Sequence, residues 1–242
     1  MKKFAFTLAE VLITLTIIGV ISAMVLPNML GHWEKKTLET QTKHFYSMLQ
    51  LAIHNYMVDN RVDNLSDSPM YCEKYESDEN DCERAREEVD KFITKYLKVA
   101  LTCQNSNSLQ NKNNSCYSVT VKPLDKRSEY HNPWGPKYIL AHGYAIYANY
   151  PPDFSDPMSI SVDVNGRKGP NRAGRDIWAM SIYHDGSINE SGLNPECLKD
   201  ETKCWYAIKD IIQNRFEYCQ ESSYDGGGCF GRFKDNNFKF DY

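Results

Sequence analysis

Four side chains that can offer oxygen to a cation lie close together in the second half of the chain: Asp163, Asn165, Asn171 and Asp176. They are interleaved with Gly166, Gly169, Pro170 and Gly174, residues that let a backbone bend. A hard cation such as calcium takes six to eight oxygens from carboxylates, amides and main-chain carbonyls on such a loop. The spacing is not that of an EF-hand, and the closing glutamate is missing. Arg167, Lys168, Arg172 and Arg175 bring positive charge into the same stretch. The reading preferred on sequence is an Asx-turn loop whose carboxylates bond their own backbone and the arginines. A third chemistry, contact with nucleic-acid phosphates, would use the four basic residues and nearby aromatics.

A single carboxylate raises a different question. Glu10 is the last charge before His32, and the sixteen residues Val11 to Leu26 carry only Thr14, Thr16 and Ser22 as polar interruptions. An acidic side chain at mid-bilayer costs about 2.5–3.5 kcal/mol on an insertion scale, so Glu10 needs a partner.

The eight cysteines fall as near neighbours: Cys72 and Cys82, Cys103 and Cys116, Cys197 and Cys204, Cys219 and Cys229. An even count beyond a membrane segment argues for disulfides in an oxidising compartment, with nearest-neighbour pairing one of many connectivities. Zinc, the rival, wants CxxC-like gaps that are absent here. His142 and His184 read as turn residues at strand ends. No G-x-S-x-G, HExxH or P-loop occurs, and the chain is not expected to be an enzyme.

These residues must be positioned by a small set of elements. Phe6 to Leu26 would span about 31 Å as a helix, close to a hydrocarbon core of about 30 Å. Lys2 and Lys3 would stay cytoplasmic and the rest of the chain would lie outside. A secretory signal has a shorter apolar stretch followed by a small-residue cleavage site, whereas here the apolar pattern continues past Ser22. Beyond Pro27 the pattern resumes, with Leu38, Phe45, Leu49, Ala52 and Tyr56 forming one stripe. One helix over residues 6–59 is predicted, kinked or locally melted at Pro27 rather than ended there.

Residues 59–82 read as a polar loop. Ala85, Val89, Phe92, Ile93, Tyr96, Leu97 and Ala100 predict a second amphipathic helix with Asp81 at its N-cap. From Cys116 the period becomes two. Strands are predicted over 116–122, 137–141, 144–148, 158–164 and 179–184, with His142-Gly143 and Asp185-Gly186 as turns. A short helix over 201–214 and an aromatic, Gly-rich tail over 215–242 follow. The fold class is α+β: a long N-terminal helix, membrane-spanning in its first half, packed against an antiparallel sheet.

The run Ala5-Phe6-Thr7-Leu8-Ala9-Glu10, followed by an apolar segment, resembles the signature of type IV prepilins and type II secretion pseudopilins. The resemblance implies a leader over 1–5, cut between Ala5 and Phe6 by a prepilin peptidase, and N-methylation of Phe6. It differs at Ala5, where the family most often has glycine. Gly19 and Pro27 fall where the family often softens its helix. The resemblance implies residence in the inner membrane as a single-pass protein (6–26) with an extracytoplasmic, disulfide-containing ectodomain (60–242). Assembly with other pilin or pseudopilin subunits by inner-membrane machinery would follow, into a periplasmic or cell-surface filament. Glu10 would then pair with the amine of a neighbouring subunit and set the register. Major pseudopilins offer a precedent for calcium beside the sheet. The alternative is an anchored calcium- or ligand-binding ectodomain that never polymerises. The net charge is −4, and removing Lys2 and Lys3 with the leader would make it −6, which disfavours a nucleic-acid partner.

Overall fold

A computed structural model describes residues 7–72, 79–103, 120–122, 124, 130–131, 137–149, 158–166, 168–190, 193, 195–200, 202 and 228–242. For 79–82, 120, 130–131, 147–149 and 197 it describes the backbone alone.

The first helix, α1, runs from Leu8 to Asn60 and continues through Pro27. Its two halves live in different surroundings. From Leu8 to Leu30 the apolar side chains face outward, with Leu12, Ile18 and Met24 at 57%, 59% and 71% exposure. By length and composition this stretch can cross a membrane, which fits a single-pass anchor. From Leu38 onward the predicted stripe is buried, Phe45 and Leu49 completely. The helix ends at Arg61, whose backbone is left-handed (φ 56°) and whose N–H donates to the carbonyls of Met57 and Val58.

The helix α2, Glu79–Tyr96, packs against α1. Its predicted stripe is buried at Ala85, Val89, Phe92, Ile93 and Leu97. Two expectations fail here. Asp81 lies inside α2, which begins at Glu79, so it is not the N-cap. Ala100 is not helical: Val99–Thr102 is a strand, β1. An apolar residue three positions after Leu97 fits the helical period, but pairing of Val99–Thr102 with β4 overrides it.

The remaining strands are β2 (Thr120–Val121), β3 (Tyr130–His131), β4 (Tyr138–Leu140), β5 (Ala145–Asn149), β6 (Met158–Asp163), β7 (Ile177–Ile182) and β8 (Ile188–Asn189). A six-stranded sheet has the order β1-β4-β5-β6-β7-β8 and is antiparallel throughout, while β2 and β3 pair separately. Both predicted hairpin turns form, with Gly143 at φ 87° and Gly186 at φ 77°. Ile146, Val162 and Trp178 stand in register across β5, β6 and β7 and face the α1 core. The neighbouring row, Ala145, Asp163 and Ile177, must point to the other face. There Ile177 meets Val121 and Ala173 in a second small cluster.

The sequence pattern predicts no helix at 195–199 and only an aromatic, Gly-rich tail over 215–242. Two short helices form there that periodicity does not reveal: α3, Pro195–Lys199, before the tail, and α4, Cys229–Asp235, within it. Phe230, Phe233 and Phe240 close the core against Trp178, with Phe233 stacked on it at 4.6 Å. The predicted strand residues 116–119 and the predicted helix 201–214, but for Thr202, lie outside the described residues. Cys72, Cys103 and Cys229 are disulfide-bonded. Cys116, Cys204 and Cys219 lie outside the described residues, as do the side chains of Cys82 and Cys197.

Candidate functional site

The β6–β7 connection folds the four predicted oxygen donors around one another. Its ends are held by Val164, whose N–H donates to the Asp176 carbonyl at 2.8 Å. Its far side is tied to the end of β2, where Lys122 N donates to the Asn171 carbonyl and Ala173 N to the Lys122 carbonyl. Gly166, Asn171 and Gly174 take positive φ, of 64°, 50° and 74°, which turns the backbone inward.

Inside this bend Asp163 and Asp176 are both fully buried. Asp163 Oδ1 accepts from the N–H groups of Asn165 (3.1 Å) and Gly166 (2.8 Å). Asp176 Oδ2 accepts from Asn171 N (2.7 Å) and Asn165 Nδ2 (3.0 Å), and its Oδ1 from Arg172 N (2.6 Å). The Asx-turn expectation is therefore correct for the backbone. It is incomplete, because three buried acceptors remain without a donor: Asp163 Oδ2, Asn165 Oδ1 and Asn171 Oδ1. Buried oxygens without donors are uncommon and each one costs free energy. All three belong to the loop's four oxygen donors, the atom type that a hard cation takes. Among the described residues no three His, Cys, Asp or Glu side chains come together, so amide oxygens would have to complete such a site.

The electrostatics agree. Burial, then the negative charge of Asp176, pushes the Asp163 carboxyl up to about 8. Burial pushes Asp176 up to about 6, against the donors that hold its charged form. Arg175 is occupied elsewhere. Arg175 lies over the rings of Phe240 (4.7 Å) and Tyr242 (4.8 Å), and its Nη2 donates to the Tyr242 carbonyl. Arg172 gives its main-chain N–H to Asp176, and its Nε is buried with no partner. Arg167 lies outside the described residues.

The histidines match the turn reading. His142 is in the β4–β5 turn, with its ring 5.2 Å from that of His44. His184 begins the β7–β8 turn, with its Nδ1 2.5 Å from Ser66 Oγ.

At the other end of the molecule, Ala5 and Phe6 lie outside the described residues. Glu10 has a partner that the sequence reading did not find. Thr7 is the N-cap of α1, and its N–H and hydroxyl donate to Glu10 Oε2 at 2.9 and 2.8 Å. Glu10 N returns a bond to Thr7 Oγ1 at 3.3 Å. The T-x-x-E spacing of a capping box was the available signal. Gly19 sits on open helix surface, with nothing near the position of an added Cβ.

Residues 1–26 match the family model of the prokaryotic N-terminal methylation motif, the prepilin-type signature. No curated protein and no solved structure matches the chain.

Proposed function

We propose that the chain is the precursor of a pilin or pseudopilin subunit. It is cut after Ala5, methylated at Phe6 and assembled through α1 into a type IV pilus or a type II secretion-like filament. One observation carries this reading: the methylation motif at residues 1–26 leads straight into a 53-residue helix whose first half is uncovered and apolar. Such a surface needs lipid before assembly and neighbouring rods after it. Its partners are a prepilin peptidase, inner-membrane assembly machinery and other subunits of the same or a related kind. Its site is the inner membrane, with the ectodomain outside the cytoplasm, and then the filament.

Glu10 sets the axial register by pairing with the amine of a neighbouring mature Phe6. At low dielectric that attraction is several times stronger than in water. Glu10→Gln tests it, because glutamine keeps an oxygen for the Thr7 cap while losing the charge. The variant should remain in the membrane, and its share of the sheared filament fraction should fall by at least tenfold. Unchanged incorporation would sink the register role.

The β6–β7 loop holds calcium through Asp163, Asn165, Asn171 and Asp176, an arrangement favoured by the three donorless oxygens. The eight cysteines form four disulfides, in keeping with the bonded state of Cys72, Cys103 and Cys229.

A further inference from the structure

Two histidines from distant parts of the chain meet at the outer edge of the core. His44 lies on α1 and His142 in the β4–β5 turn, and both are exposed. The backbone beneath each is fixed. Phe45, the next residue on α1, is fully buried and meets the Tyr144 ring edge-on at 5.7 Å. The turn is closed by Gly143 N, which donates to the Leu140 carbonyl (2.9 Å), and by Leu140 N, which donates to the Tyr144 carbonyl (2.8 Å). Beside the turn there is room: a Cβ added at Gly143 would meet nothing within 4 Å.

The separation of the two imidazoles is the informative quantity. Their ring centres are 5.2 Å apart and their planes are tilted by 59°. A zinc–imidazole bond is about 2.0–2.1 Å long and a ring nitrogen lies about 1.1 Å from its ring centre, so each centre would stand about 3.2 Å from a shared ion. At a tetrahedral angle the two centres are then about 5.2 Å apart. The two rings already stand at the span that holding one ion requires.

Tyr144 adds the support such a ligand needs. Its hydroxyl oxygen is 2.8 Å from His44 Nδ1. A metal-bound histidine gives the proton of its other nitrogen to an acceptor, which fixes the tautomer and the ring orientation. Burial pushes the Tyr144 hydroxyl up, so it stays a neutral phenol that can accept. His44 Nε2 is then the nitrogen with a lone pair to offer.

We infer that His44 and His142 form a site for one divalent ion of the zinc, nickel or copper class, with Tyr144 positioning His44 and water completing the coordination. Such ions choose imidazole, whereas calcium and magnesium choose oxygen, so the site is chemically distinct from the β6–β7 loop. Among the described residues no third His, Cys, Asp or Glu joins the pair, so the remaining positions fall to water and the ion stays exchangeable. When bound, it ties α1 to the β4–β5 turn. The inference is independent of the anchor and filament readings.

The test uses the full chain in detergent micelles with excess calcium, titrated with zinc chloride and read by calorimetry. Wild type should bind one zinc per chain at this site. His44→Ala and His142→Ala should each weaken that step at least tenfold, with unchanged circular dichroism spectra because both positions are exposed. Tyr144→Phe keeps the ring and should weaken binding by about tenfold through loss of the acceptor. Nickel should compete with zinc and magnesium should not. Zinc should also raise the wild-type Tm and leave that of His142→Ala unmoved. Equal zinc affinity in either histidine variant would overturn the site and show an adventitious ion only. A wild type with no zinc step, or zinc displaced by magnesium, would overturn it as well. Full affinity in Tyr144→Phe would overturn the positioning role.

Discussion

Metal-free protein should lose stability as pH rises, and Asp163 is the main cause. Burial holds its carboxyl protonated up to about 8, against an ordinary 3.8. Asp176 is likewise pushed up to about 6. Between these limits the folded chain binds protons that the unfolded chain has released, so folding free energy becomes less favourable with each step upward in pH. For Asp163 the span is about four pH units at 1.36 kcal/mol each, or on the order of 5 kcal/mol. Asp176 is not simply added, because its charge is already one of the causes that raise Asp163. Asp59 and Asp241 are held below the usual range by Lys95 with Tyr96 and by Arg232, and act in the opposite direction. Both are exposed, so their contribution is screened and small. The assay is thermal unfolding of the full chain in detergent with EDTA from pH 5 to pH 8.5. For a chain of this size 1 kcal/mol corresponds to about 2–4 °C, so a fall of roughly 10 °C or more is expected. Asp163→Asn should flatten the curve and raise Tm at pH 8.5. It removes the buried charge and supplies an N–H to a region with two other donorless oxygens, Asn165 Oδ1 and Asn171 Oδ1. Calcium should restore wild-type Tm at pH 8.5 and do little for the variant. A wild-type Tm that is flat with pH, or an equal slope in Asp163→Asn, would refute the electrostatic account.

Two further substitutions test the scaffold through Tm in the same thermal assay. Arg61 closes α1 at φ 56°, where a Cβ costs about 1–2 kcal/mol. Arg61→Gly should therefore raise Tm by about 2–4 °C after the loss to unfolded-chain entropy, while Arg61→Ala should not. Gly231 lies in α4 with the buried Glu190 carboxyl 2.4 Å from where a Cβ would stand. Gly231→Ala should cost about 2 kcal/mol or more, and a Tm within 1 °C of wild type would show that Glu190 can move aside.

The elements with one clear period were legible from sequence. The stripe from Leu38 to Tyr56 is buried as expected because only one face of α1 meets the sheet. The alternation in β5, β6 and β7 likewise gave the strands and both turns. Legibility failed where several weak signals competed. Val99 to Thr102 reads as helix or strand until Tyr138, Ile139 and Leu140 arrive to pair with it. Phe230, Phe233 and Phe240 are core residues, yet glycine and disulfide context hid their spacing. The four oxygen donors could be named but not weighed. Which atoms stay without donors depends on where the backbone amides of Asn165, Gly166, Asn171 and Arg172 point.

The bonds between Thr7 and Glu10 give the monomer a resting form. A carboxylate already satisfied by its own helix start does not have to find a neighbour at once, so idle copies can accumulate in the bilayer. Under the proposed assembly, joining a filament would exchange one set of contacts at this carboxylate for another, with a modest net gain there. An exchange with a small balance runs in either direction, so under the proposed assembly this residue would favour order in the stack more than its strength.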